Sequence, residues 1–135
     1  MTTQLTMSLP AEGGARSLAG QSSHGEVFTR RWVVEFILDL VGYRPEAGLA
    51  SLTIVEPACG TGAFLVPIVD RLVDSCRRDA VDLADAGDAI RAYELLEANA
   101  ELSRKATVHR LGELGYSADL AEHLAARWVT TAPSL

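Results

Sequence analysis

Apolar residues first fall into register at Trp32, Val33, Phe36, Ile37, Leu40 and Val41, three or four positions apart. That spacing predicts an amphipathic helix, with Thr29 as its N-cap, Gly42 as its stop and Trp32 as a core anchor. Leu52-Thr53-Ile54-Val55 is short, β-branched and apolar, which predicts a parallel strand covered on both faces and ended by Glu56-Pro57. A glycine loop follows, then a helix from about Ala63 to Arg78, bent near its start by Pro67. Val81 to Asp88 reads as an acidic, solvated connector, and Ala89 to Tyr93 as a second strand ending at Glu94. Leu96 to Leu114 predicts a helix stopped by Gly115, and Ser117 caps another that runs to about Arg127. Trp128 to Thr131 has strand composition, with Trp128 a second core anchor.

The order is a helix followed by β-α-β-α-β, which predicts an α/β fold on a parallel, doubly wound sheet. Residues 1–23 are rich in Ser, Thr, Gly, Gln and Ala and lack periodicity, so they read as a flexible lead-in to one domain at 24–135. There is no internal repeat.

Composition narrows the classes. The chain has 135 residues, 48% hydrophobic but only 6% aromatic, which suits one domain with an aliphatic core. Eighteen acidic against twelve basic residues give a net charge of −6, the wrong sign for a domain that grips DNA alone. The two cysteines, Cys59 and Cys76, form no metal-ligand or redox spacing, and they suit a reduced, cytoplasmic setting. His24, His109 and His123 are scattered, so no metal site is expected. The longest apolar stretch, Trp32 to Val41, contains Glu35 and Asp39 and falls short of the roughly 20 residues of a membrane span.

Chemistry concentrates in Glu56-Pro57-Ala58-Cys59-Gly60-Thr61-Gly62-Ala63-Phe64-Leu65. A loop leaving a parallel strand and entering a helix presents free backbone N–H groups at a positive dipole end. Gly60 and Gly62 remove the Cβ atoms that would hold a ligand away. A dinucleotide fingerprint needs a third glycine where Leu65 stands, so a nucleoside without a pyrophosphate fits better. No Gly-Lys-Ser/Thr follows, which excludes a P-loop. Glu94, at the tip of the next strand, can accept both ribose hydroxyls of an adenosine.

These residues resemble the S-adenosylmethionine-binding motif of gamma-class DNA adenine-N6 methyltransferases, in which the cofactor half comes first. Gly25-Glu26-Val27-Phe28-Thr29 resembles that class's N-terminal motif, and Ala92-Tyr93-Glu94-Leu95 its second motif. The resemblance covers roughly residues 25 to 132. It implies a Rossmann-like methyltransferase fold, here an incomplete parallel sheet of about three strands preceded by a helix. It implies that Phe28 and Thr29 close over the cofactor, with Thr29 near the methionine carboxylate. Glu56 would lie close to the methionine amino group, Ala58, Gly60 and Gly62 would supply close backbone, and Glu94 would hold the ribose. The implied reaction moves a methyl group from the sulfonium to the adenine amino nitrogen by in-line displacement. The implied setting is restriction-modification or phage defence.

The chain departs from that pattern in three places. Arg30 stands where the family has proline. Thr131-Ala132-Pro133-Ser134-Leu135 lacks the acid that touches the adenine amino group. No Asn-Pro or Asp-Pro pair exists to build the Asn/Asp-Pro-Pro-Tyr/Phe motif that holds a flipped adenine, so no catalytic residue is assigned. The expectation is a truncated methyltransferase that reaches DNA through parts it lacks, with a second chain as a candidate to complete it. Strands expected beside Leu52 to Val55 are missing, which leaves that strand at an open edge. The first rival reading is a non-catalytic adenosyl-ligand module that works with a partner chain. The second, a nucleotide-dependent oxidoreductase fragment, is disfavoured by Leu65.

Overall fold

The structure, a computed structural model, describes the backbone of residues 3–6, 23–57 and 62–131, and the side chains of 31–56 and 62–131. Four strands, β1 (Thr3–Thr6), β2 (Leu52–Pro57), β3 (Ile90–Glu94) and β4 (Val129–Thr131), form one parallel sheet in the order β1-β2-β3-β4. Between them lie α1 (Ser23–Leu40), α2 (Leu65–Arg78), α3 (Glu97–Glu113) and α4 (Ala118–Trp128). The expected α/β class and its helix-first β-α-β-α-β order are therefore present, and the structure adds one strand.

That added strand corrects two expectations. Thr3–Thr6 pairs with β2 in parallel, Thr3 opposite Leu52 and Thr6 opposite Val55, so the edge expected to be open is covered. It also lies inside the stretch read as a flexible lead-in. Pairing of this kind is made by backbone N–H and C=O groups, and four mostly polar residues carry no side-chain pattern to announce it. Residues 7–22 of the lead-in lie outside the described residues.

The strand order never reverses. With right-handed crossovers, every connecting helix then falls on the same face of the sheet, so the described part is wound on one side, not two. Burial agrees. Ile54, Glu56, Ile90, Ala92, Glu94 and Val129 share one face by register and are all buried. On the other face Arg91 and Thr130 are exposed and Val55 and Tyr93 half-buried. Within Leu52–Val55 itself, Ile54 on the first face and Thr53 on the second are buried while Leu52 and Val55 are half-buried, so this strand has cover on both faces and the exposed second face lies on β3 and β4.

Helix ends follow local chemistry. Gly115 adopts φ 97° and ends α3 in a doubly bonded cap, with Tyr116 N donating to Leu111 O and Gly115 N to Gly112 O. The Ser117 hydroxyl accepts from Leu120 N, the expected cap of α4. Pro67 is the third residue of α2, where a backbone N–H has no partner inside the helix, so it sacrifices no intrahelical bond. The acidic connector is more than solvated chain. Its acids are exposed, but Leu83 and Ala86 are buried, and Asp82 Oδ1 accepts from Ala84 N.

α1 departs most from expectation. It begins at Ser23, so Thr29 is an interior helical residue and not the N-cap. Its buried positions are Val34 and Leu38, whereas Trp32, Phe36 and Leu40 are 68%, 50% and 69% exposed. Trp32 stacks on Phe36 in the open, with ring centroids 5.8 Å apart, and is no core anchor. Arg71 of α2 explains the rotation. Its guanidinium donates to Asp39 Oδ1 at 2.8 Å, to the Tyr43 carbonyl at 3.0 Å and to the Glu35 carbonyl at 3.2 Å. A cation on carbonyls at a helix C-terminus is well placed, and it turns the Glu35–Asp39 side of α1 towards α2. Trp128 does anchor the core, 1% exposed with Nε1 donating to Ala86 O at 3.0 Å.

Tyr43 is fully buried, yet its hydroxyl has no hydrogen-bond partner among the described residues. An unsatisfied buried hydroxyl costs roughly 1–3 kcal/mol. Tyr43→Phe removes the hydroxyl and keeps the ring, so it should raise unfolding stability by about 1 kcal/mol in urea titration. A loss of stability would show that the hydroxyl has a partner.

Candidate functional site

β2 and β3 run side by side and end at the same edge of the sheet. Register places Glu56 opposite Ala92, which puts Glu94 one step further along on the same face. Diagonal neighbours of this kind lie about 7–8 Å apart. Glu56 is 0% exposed and Glu94 4% exposed. Two carboxylates therefore share the buried face of the sheet at adjacent strand tips, where ligands of open α/β sheets bind.

Their surroundings differ. Glu94 Oε1 accepts from the backbone N of Leu95 at 3.2 Å. Among the described residues, neither oxygen of Glu56 has a hydrogen-bond partner. Burial pushes the Glu56 carboxyl up to about 8, and the neighbouring Glu94 charge adds to the rise. A carboxylate so placed favours a cation that can replace both the missing hydrogen bonds and the missing countercharge.

The strand-to-helix connection that follows Glu56 is described again from Gly62. Gly62 has φ 92°, and a Cβ there would meet Ala106 Cβ at 3.1 Å and Ser103 Cα at 3.6 Å. The protein itself thus demands glycine here, because α3 presses on the loop and the backbone is left-handed. The close backbone expected from Gly62 is used at least against α3. Phe64 and Leu65 are buried as α2 begins, and Leu65 fills the space a third glycine would have left open.

Of the expected site residues, the structure thus brings Glu56 and Glu94 together and places Gly62 where α2 starts. Phe28 and Thr29 have their backbone inside α1, not in a loop that leads into it. Ala58 and Gly60 lie outside the described residues, as does Cys59. Cys76 is a free, buried cysteine. His109 and His123 are exposed, and among the described residues no cluster of His, Cys, Asp or Glu could hold a metal.

Leu95 and Leu96, 74% and 62% exposed directly after Glu94, are additions to the site. The sequence signal was present in two consecutive leucines at a strand end, but they read as motif and helix start. A separate groove between α1 and α2, about 410 Å³, is lined by Arg31, Glu35, Asp39, Asp70 and Arg71 among others. Its charges answer one another, Arg31 to Asp70 and Arg71 to Asp39 and Glu35, and neither Glu56 nor Glu94 lines it.

A parallel α/β sheet with carboxylates at adjacent strand tips and a glycine turn into a helix defines the Rossmann-like methyltransferase class. Residues 16–109 match the family N-6 DNA Methylase, and the chain belongs to it. It is 44% identical over 115 residues to the Type II methyltransferase M.XhoI of Xanthomonas vasicola, covering 82% of this chain and 21% of that one. It is 39% identical over 128 residues to the Type II methyltransferase M.PaeR7I of Pseudomonas aeruginosa, covering 93% of this chain and 21% of that one. M.BstVI of Geobacillus stearothermophilus, also a Type II methyltransferase, is 36% identical over 121 residues, 83% of this chain and 21% of that one. The chain thus spans about one fifth of the length of these relatives. No solved structure matches it. No helix among the described residues is long and apolar enough to cross a membrane.

The raised Glu56 carboxyl has a consequence for stability. In the unfolded chain the group ionises near 4.5, and in the folded protein near 8. Between those values only the folded state holds the proton, so its contribution is full below about 4.5 and is lost as pH climbs to 8. The slope is about −1.4 kcal/mol per pH unit. Glu56→Gln removes it, so the stability of the variant relative to wild type should rise steadily from pH 5 to 8 in denaturant melts. A difference that stays flat across that range would show that Glu56 is ionised in the fold.

Proposed function

We propose that this chain is the S-adenosylmethionine-binding portion of a DNA adenine-N6 methyltransferase of the gamma class. The observation that carries the reading is the buried, partnerless Glu56 carboxylate with Glu94 beside it. S-adenosylmethionine carries an ammonium and a sulfonium, and the ammonium would supply the hydrogen bonds Glu56 lacks. Glu94 would accept the ribose hydroxyls, as expected for an acid at the second strand tip. The exposed Leu95 and Leu96 offer an apolar surface to the purine. Backbone N–H groups at the start of α2 would take the carboxylate, with Ala58, Gly60 and Gly62 leaving the loop backbone open to the ligand. Leu65, buried where a dinucleotide site needs a third glycine, disfavours the oxidoreductase reading. Phe28 and Thr29 would close over the cofactor from α1.

When bound, the cofactor supplies a methyl group on a positively charged sulfur. The groups that position the adenine are another matter, because no Asn-Pro or Asp-Pro pair occurs in the chain. Contact with DNA, and the transfer itself, would then depend on an adenine-holding motif and a DNA-binding surface outside these 135 residues. We place the protein in the cytoplasm, where its DNA substrate and a reduced Cys76 belong. The alternative, a non-catalytic adenosyl-ligand module, is favoured by the same missing motif.

Calorimetry tests the reading. The chain should bind S-adenosylmethionine and fail to bind NAD. Glu94→Ala should weaken the donor by about 10- to 100-fold, the loss of one or two charge-assisted hydrogen bonds of roughly 1.5–3 kcal/mol. Equal affinity for NAD, or no effect at Glu94, would count against it. A methyl-transfer assay on adenine-containing DNA, with and without the neighbouring gene product, separates a split enzyme from a binding module.

A further inference from the structure

A carboxylate that is wholly enclosed and makes no hydrogen bond cannot remain charged cheaply, since burying an isolated ion costs far more than accepting a proton. Glu56 meets both conditions. The described groups around it offer no relief. β3 contributes Glu94 on the same face, while Arg91 points to the opposite, exposed face. β4 carries no charged residue. Arg104 of α3 is engaged with Glu97, Glu101 and the Val129 carbonyl, and Arg110 with Asp70 of α2 and Glu113. The charge that acts on Glu56 among the described residues is that of Glu94, and it is negative.

We propose that Glu56 carries a proton in the ligand-free protein and releases it when a cationic adenosyl ligand enters, so that the site exchanges a proton for the ligand's ammonium. The inference rests on the adenosyl-binding reading above and adds a linkage and a selectivity to it. The bond broken is the Glu56 O–H, and the proton leaves to solvent. The bond formed is a charge-assisted hydrogen bond from the ligand ammonium to the carboxylate. The elevated ionisation of Glu56 accords with this exchange. Selectivity follows: a neutral nucleoside offers nothing to replace the proton, so Glu56 makes the pocket prefer adenosyl ligands with a cationic amine over adenosine itself. Affinity for S-adenosylmethionine should rise about tenfold per pH unit between pH 5.5 and 7, a range in which an α-amino group stays protonated. Affinity for adenosine should stay flat.

Two measurements on the full chain decide it. In ligand-free protein, the ¹³C carboxyl resonance of Glu56 should titrate well above the ordinary glutamate range and shift downward in Glu94→Gln. A midpoint between 4 and 5 would overturn the proposal whether or not any ligand binds. At pH 6.5, calorimetry with S-adenosylmethionine in phosphate and in Tris should report close to one proton released per ligand bound. Glu56→Gln should release none, and adenosine should release none from wild type. Donor binding without proton release would overturn the exchange and leave the adenosyl reading intact. Failure of the donor to bind at any pH would sink the adenosyl reading, and the resonance would still report on the proton.

Discussion

A carboxylate enclosed at the end of a strand, without a hydrogen bond, is an unfavourable arrangement that the fold nevertheless maintains. Glu56 sits on the buried face of the sheet because period-two alternation aligns it with Ile54, and register aligns both with Ile90 and Ala92. The same alternation brings Glu94 to that face. Two properties of the site follow from this placement: the raised ionisation of Glu56 and the advantage it gives a cationic ligand over a neutral one. Buried ionisable groups with strongly shifted protonation concentrate at functional sites, and this pair stands where open α/β sheets bind their ligands.

The scaffold behind the pair is simple. Three parallel strands and their helices pack one aliphatic core, with Leu65, Ile68 and Leu72 of α2 buried alongside Ile54, Ile90 and Val129. The sheet progresses in one direction, so its second face keeps Arg91 and Thr130 in solvent. On α1, Trp32, Phe36 and Leu40 form an exposed apolar row. A short, mostly polar strand, Thr3–Thr6, pairs with the outer side of β2.

Much of this was legible in the residues. Gly115 and Ser117 announced the end of α3 and the start of α4, since each supplies a specific backbone or side-chain hydrogen bond there. The strand tips bearing Glu56 and Glu94 were legible because apolar strands ended at acids. The face of α1 was not. Between Trp32 and Val41 only Glu35 and Asp39 are polar, so periodicity had little contrast to work with. Both acids stay at the surface, where Arg71 pairs with them across the groove between α1 and α2. At the start of α1 the sign was misleading, because Thr29 suits an N-cap by residue type yet lies inside the helix. β1 had none, because its pairing is backbone chemistry. The isolation of Glu56 was also invisible, because a missing partner is a property of three-dimensional packing.

The account stands most directly on what touches Glu56. A crystal structure of the chain grown with S-adenosylmethionine should show the ligand's amino nitrogen within hydrogen-bond distance of Glu56 and its ribose hydroxyls on Glu94. Ligand density in the charged groove between α1 and α2, or a Glu56 carboxylate still enclosed by protein with the ligand bound elsewhere, would contradict it.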